Sequence, residues 1–271
     1  MSRLARRNTI LDLAALTLLL LYGLLAWSAE GGGGGSGPAL DPVWAAARER
    51  GVLRVAVDVG FRPFADQDAA GTLSGYDIDL ARAVAERLGL RAEFVPIGYD
   101  ALYDALVSGR ADMIASALPY APEQGFRARF SSVYFDVGQM LVVPEGAPID
   151  GPADLAGRTV GVALGSDADA LARRMARDGG GFTLRSTYDD PAAALADLGA
   201  GRLDAVITDH VAALTAAQGT PGLRIATALS YEPLVLGLPR AAFQLESEVN
   251  RALDELQAAG FLAELSGRWF R

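Results

Sequence analysis

Cysteine is absent from the 271 residues. That excludes disulfides, thiolate metal sites, cysteine nucleophiles and a lipid-modified N-terminal cysteine. Histidine occurs once, at His210, so a histidine-rich metal site is ruled out and a Ser-His-Asp triad would have to use that residue. Lysine is missing too: all 24 basic residues are arginine. A Gly-x-x-x-x-Gly-Lys phosphate loop therefore cannot form. The net charge is −9, and an acidic body lacks the basic face that nucleic acid requires. What is present is an apolar content of 51%, enough for a large ordered core and for two domains.

Residues 1–30 read as an export segment. Arg3, Arg6 and Arg7 form a basic start, followed over 13–27 by an apolar run rich in leucine and alanine. The run is short for a span of about 20 residues, so a cleaved signal peptide and an uncleaved signal anchor both remain open. Residues 31–37, GGGGGSG, form a flexible tether, and residues 42–50 a lead-in helix. The body is expected outside the cytoplasm, in the periplasm or on the extracellular face of the membrane.

From residue 51 onward, apolar strands alternate with amphipathic helices. Strands are expected over 53–57, 91–97 and 113–115, with helices from Asp77 to Gly89 and over 99–107. Asp77 is expected to cap the first of these and Gly89 to end it. A strand over 138–143 closes this half. The rhythm then repeats, with strands over 159–162, 182–185, 205–208 and 234–238. Helices are expected over 169–177, after Asp190-Pro191, and over 246–258. Alternation of this kind implies mostly parallel sheets. One motif recurs: Gly109-Arg110-Ala111-Asp112 is echoed by Gly201-Arg202-Leu203-Asp204. The stretch 109–130 runs from a helix end through a short strand into a loop and a basic, aromatic segment. Open α/β sheets place ligands where a strand runs out into a loop that opens a helix.

Several marker runs appear in order. They are Gly51-Val52-Leu53-Arg54-Val55-Ala56-Val57-Asp58, Phe61-Arg62-Pro63-Phe64 and Leu73-Ser74-Gly75-Tyr76-Asp77-Ile78-Asp79-Leu80. Then follow Gly109-Arg110-Ala111-Asp112, Phe130-Ser131 with Tyr134, Asp154-Leu155-Ala156-Gly157-Arg158-Thr159-Val160-Gly161-Val162 with Gly165-Ser166, and the closing Trp269-Phe270. In this the chain resembles the family 3 extracellular solute-binding proteins, the amino-acid receptors of ABC importers. The resemblance implies an α/β, two-lobed clamshell of the type II periplasmic-binding-protein kind, with two Rossmann-like lobes joined by two hinge strands. Lobe 1 would hold 51–138 plus 236–271, and lobe 2 would hold 139–235. It also implies a monomer that captures an amino acid or amine-like ligand, with no cofactor, metal or catalytic residue. The permease and ATPase would be separate chains.

The same resemblance assigns site residues. Phe61 and Tyr99 match aromatics that sandwich the ligand, which suits cation–π attraction for an ammonium. Asp209 matches the acid that binds an α-amine by charge-assisted hydrogen bonds, and a helix N-cap is its other reading. Asp58 and Asp167 match positions near the cleft, and Ser166 and Asp167 open a helix whose amides suit an anionic group. In family members that bind α-amino acids, a Thr and, three positions on, an Arg clamp the carboxylate. Here those positions are Ala121 and Gln124, in the loop that also holds Ala117 and Pro119. Gln124 has no charge to offer. Arg127 takes over the clamp if the segment is helical, because it would share a face with Gln124; otherwise it is a solvated surface charge. Without that cation, acids and aromatics favour a cationic or neutral amine. Two further readings stay open: an accessory or sensory solute-binding protein beside a periplasmic dehydrogenase, and an enzyme resembling cyclohexadienyl dehydratases.

Overall fold

The computed structural model describes residues 41–270. The export segment and the Gly-rich tether lie outside the described residues. The lead-in helix is α1, Pro42–Arg50, capped by the Asp41 carboxylate on Trp44 N at 2.6 Å. Asp41 also accepts from the Gln244 and Leu245 amides, at 2.7 and 3.0 Å. One buried carboxylate thus caps α1 and ties it to the C-terminal region.

Next in the chain come β1, Val52–Val57, and a small antiparallel sheet of β2, Gly60–Phe61, β3, Ala65–Gln67, and β4, Leu73–Ser74. Then follow α2, Tyr76–Arg87, β5, Arg91–Pro96, a 3₁₀ turn at Tyr99–Ala101, α3, Leu102–Val107, and β6, Met113–Ile114. After β6 the chain does not become α-helical, which is the condition for Arg127 to share a face with Gln124. A 3₁₀ turn at Pro122–Gln124 leads into a nine-residue strand, β7, Ala128–Asp136. The expected strand over 138–143 is β8, Gln139–Pro144, but it does not close the first half. It pairs instead with strands later in the chain.

Those later elements are β9, Thr159–Ala163, α4, Asp167–Arg177, β10, Thr183–Tyr188, α5, Pro191–Gly199, and β11, Ala205–Asp209. Then come α6, His210–Gly219, β12, Leu223–Ala228, β13, Pro233–Pro239, α7, Phe243–Ala258, and α8, Phe261–Trp269. Two five-stranded sheets result, ordered β5-β1-β6-β13-β7 and β10-β9-β11-β8-β12. In each, three parallel strands are extended by two antiparallel ones.

The repeated Gly-Arg-x-Asp motif does the same structural work in both sheets. Asp112 N donates to the Arg54 carbonyl at 2.8 Å while its carboxylate accepts from Arg54 N at 2.9 Å. Asp204 N donates to the Thr159 carbonyl at 2.9 Å while its carboxylate accepts from Thr159 N at 2.8 Å. Each aspartate therefore fixes the register between two parallel strands.

Asp77 is not an N-cap. Gly75 holds that position, and Asp77 lies inside the first turn of α2, fully buried. Around it packs an aromatic core. Tyr76 stacks on Phe270 at 5.2 Å, and Phe64 and Phe135 lie within 5.9 Å of each other. The buried Phe270 explains the closing Trp-Phe motif: the chain end seals this core.

The two sheets are joined where 136–139 passes 229–232. Val137 N donates to the Glu232 carbonyl at 3.0 Å, Gln139 N to Ser230 Oγ at 2.8 Å, and the Asp136 carboxylate accepts from both Gly138 N and Glu232 N, at 2.9 and 2.7 Å. A Cβ on Gly138 would lie 2.3 Å from the Ser230 carbonyl oxygen, which is backbone and cannot swing aside. Gly138→Ala is therefore expected to cost about 1–3 kcal/mol, read as a lower midpoint in urea unfolding. An unchanged midpoint would mean that this crossing is loose.

Candidate ligand-binding cleft

The carboxyl end of β1 delivers Asp58. Its carboxylate accepts from Gly60 N and Tyr99 N, both at 3.1 Å, and its own amide donates to Ser116 Oγ at 2.9 Å. Asp58 thus organises the two segments that carry Phe61 and Tyr99. Phe61 stacks at 5.6 Å on the buried Phe64, nearly parallel to it. It keeps 56% of its surface exposed and Tyr99 keeps 47%. Two large aromatics left open on segments tied to one carboxylate mark a surface made for contact. Phe64 is the buried support.

The loop after β6 carries Ala117 and Pro119. Ala117 has a φ of 41°, rare for a residue with a side chain. The Asp77 carboxylate accepts its amide, which holds that conformation. Pro119 bridges to Leu234, and the flanking residues bond across to β13, Tyr120 N to the Pro233 carbonyl and Val235 N to the Leu118 carbonyl, each at 2.9 Å.

From the other sheet, β11 ends at Asp209. This residue caps α6, accepting Ala212 N on one oxygen at 2.9 Å. Both expected readings of Asp209 are compatible, because among the described residues its other oxygen meets only the Thr208 hydroxyl, at 3.4 Å. Asp167 is the first residue of α4, and the cap there is Ser166, whose hydroxyl oxygen accepts Asp169 N at 3.2 Å. His210 does not join a catalytic triad. Its Nδ1 lies 2.7 Å from the Asp136 carbonyl oxygen, and its ring stacks on Phe135 at 5.2 Å.

Asp58, Phe61, Tyr99, Ala117, Pro119, Asp167 and Asp209 all line one cleft of about 720 Å³. Ser166 lines a smaller hollow of about 120 Å³, which shares Gln139, Asp167 and Asp209 with the cleft. Two further expected residues line neither. Gln124 lies in the 3₁₀ turn, its Oε1 buried without a hydrogen-bond partner. Arg127 ion-pairs with Asp104, sits 5.3 Å over the Tyr103 ring and lines a separate surface hollow with Phe126 and Pro239. It does not share a helix face with Gln124, because the chain there turns into β7.

The structure adds Arg62 and Gln139 to the cleft and brings Glu232 there as well. Arg62 pairs with Asp66 at 2.6 Å. Glu232 is pushed up from the ordinary carboxylate range by burial, then by the charges of Asp167 and Asp136. Tyr99 is raised as well, by burial and by Asp58. Four carboxylates, one arginine already ion-paired and two open aromatics make a cleft that attracts positive charge.

A cleft between two α/β lobes, at the carboxyl ends of parallel strands, defines a small-molecule binding protein of two-lobed type II periplasmic architecture. Residues 53–271 match the model of the bacterial extracellular solute-binding proteins, family 3, and the chain belongs to that family. It is 32% identical over 227 residues to the L-cystine-binding protein of Escherichia coli, covering 82% of this chain and 84% of the relative. It is 30% identical over 228 residues to the lysine/arginine/ornithine-binding periplasmic protein of the same organism, covering 80% and 87%. Among solved structures, an ancestral cyclohexadienyl dehydratase is similar with a TM-score of 0.71 and 26% identity, covering 86% of this chain and 98% of that one. Among the described residues, no helix is long and apolar enough to cross a membrane.

Proposed function

We propose that this chain is the extracytoplasmic receptor of an ABC importer and captures an amino acid or related amine-bearing solute in the cleft. The observation that carries this is the pairing of Phe61 and Tyr99 with a carboxylate at a strand end of each sheet, Asp58 on one side and Asp209 on the other. An ammonium held there gains cation–π and charge-assisted contacts from both lobes at once, which favours closure over the ligand. The lobes are taken to divide at the crossings 136–139 and 229–232. The permease and the ATPase are separate chains, the receptor works as a monomer, and the N-terminal segment exports it or anchors it to the membrane.

A carboxylate-bearing ligand finds no unpaired arginine in this cleft, since Arg62 is engaged by Asp66 and Arg127 lies elsewhere. The reading is therefore of a ligand with net positive charge or a neutral amine. Thermal-shift screening of the purified chain against amino acids, amines and organic acids tests it. At a hundred times its dissociation constant a true ligand stabilises by about 2.7 kcal/mol. The expected result is a shift with amines and basic amino acids and none with organic acids. A shift with organic acids alone would overturn the reading.

The structural likeness to a dehydratase supplies the second reading. Dehydration of a cyclohexadienyl acid needs a cation to hold the substrate carboxylates, and that need is unmet here. Incubation with prephenate or arogenate, assayed for an aromatic product, is expected to show no turnover.

A further inference from the structure

The four cleft carboxylates are not equivalent. Asp58 uses both oxygens on the Gly60 and Tyr99 amides, and Asp209 uses one on Ala212 N. Glu232 and Asp167 have no side-chain hydrogen bond or ion pair among the described residues. Glu232 is nonetheless fixed in place. Its amide donates to Asp136 Oδ1 at 2.7 Å and its carbonyl accepts from Val137 N at 3.0 Å, so the sheet crossing itself presents this carboxylate to the cleft. Asp167 enters from α4, close enough for its charge to act on Glu232.

A third group independently points to a ligand. Gln139 is only 6% exposed and lines both the cleft and the smaller hollow. Its backbone is satisfied by Ser230 and Leu229, whereas its side-chain amide has no partner among the described residues. Its amide atoms are not sealed from solvent, so both can be reached from the cleft. Its oxygen can accept from the N–H groups of a cation, and its NH₂ leaves the neighbouring carboxylates their charge.

We propose that Glu232, Asp167 and Gln139 form a second cation subsite at the crossing end of the cleft, so that the preferred ligands carry two positive groups rather than one. This rests on the receptor reading above and deepens it. The first positive group lies among Phe61, Tyr99, Asp58 and Asp209. The second is an ammonium or guanidinium that relieves the repulsion between Glu232 and Asp167. Because Glu232 belongs to the crossing and Asp167 to the far lobe, one bound cation draws the two together.

Calorimetric titration of the full chain tests the subsite with matched pairs, L-lysine against L-norleucine and 1,4-diaminobutane against 1-aminobutane. Each pair differs in the terminal ammonium. The wild type is expected to prefer the doubly charged member by about tenfold or more. Glu232→Gln and Asp167→Asn should each reduce that preference to about threefold or less while leaving the singly charged member's affinity near wild type. Glu232→Asp should retain part of the preference. Equal affinities within each pair in the wild type, or a preference untouched by both substitutions, would overturn the subsite while leaving the receptor reading intact. Failure of all four compounds to bind a chain that melts cooperatively would overturn the subsite, and the thermal-shift screen decides the receptor reading separately.

Discussion

Asp209→Asn is expected to weaken binding of an amine ligand by about 10–100-fold while barely moving the melting temperature of the free protein. The two consequences separate because Asp209 does two jobs with two oxygens. One oxygen caps α6 through Ala212 N, and asparagine caps a helix about as well as aspartate. The other faces the cleft, where only the charged form gives a charge-assisted bond to an ammonium. Asp209→Ala removes both, and should cost about 1 kcal/mol of stability in addition to the affinity. Titration of both variants with the best ligand from the thermal-shift screen, alongside their melting curves, reads the two effects independently. If Asp209→Asn binds as wild type does, the residue is a helix cap and the ammonium lies elsewhere, with Asp58 the next candidate.

Much of this arrangement is legible in the amino-acid sequence, and the reasons are physical. The family resemblance assigns Asp58, Phe61, Tyr99, Asp167 and Asp209, and each lies near a strand end, which is visible in sequence as an apolar run meeting a polar or glycine-rich break. The structure brings all five to one cleft. Glu232 and Gln139 carry no such signal, because they reach the cleft through the crossing of two distant segments. Only the pairing of 136–139 with 229–232 makes them neighbours of Asp167. The segment 128–136 carries no clear strand signal, because its burial does not alternate: Ala128, Ser131, Tyr134 and Phe135 are buried, with register shifts against β13. With that strand unread, a helical path putting Arg127 on a face with Gln124 stays open in the sequence. Asp77 resembles a cap because it precedes an apolar helix, but Gly75 already fills that position, with a φ of 140° and no room for a side chain against Phe64.

Asp77 is where the core and the cleft meet, and it sets the second large effect. Its carboxylate accepts the Ala117 amide and, at 2.8 Å, the Tyr134 hydroxyl. Burial pushes it up to about 7 from an ordinary 3.8, against the opposing pull of those two hydrogen bonds. Between these two values the folded protein holds a proton that the unfolded chain has released. Stability is therefore expected to rise as pH falls from about 7 toward about 4, the reverse of ordinary acid denaturation in that range. Asp68, Asp169, Asp197 and Glu255 are shifted downward, so their stabilising contributions are lost only below the ordinary carboxylate range and leave this window clear. Glu232, shifted upward, adds to the trend with the same sign. In Asp77→Asn the amide oxygen can still accept from Ala117 N while its NH₂ donates to the Tyr134 oxygen. That variant should lose most of the rise between pH 7.5 and pH 5 (roughly the span of the shift) and remain folded. Asp77→Ala should instead lose about 2–5 kcal/mol at every pH, because two buried donors are left unmet. Urea midpoints of the three proteins across that range decide the matter, and a wild-type stability that is flat from pH 7.5 to pH 5 would remove the raised carboxyl from the account. Because Asp77 fixes the left-handed Ala117 that lines the cleft, Asp77→Ala should also weaken ligand binding. Asp77→Asn, which keeps the Ala117 bond, should not.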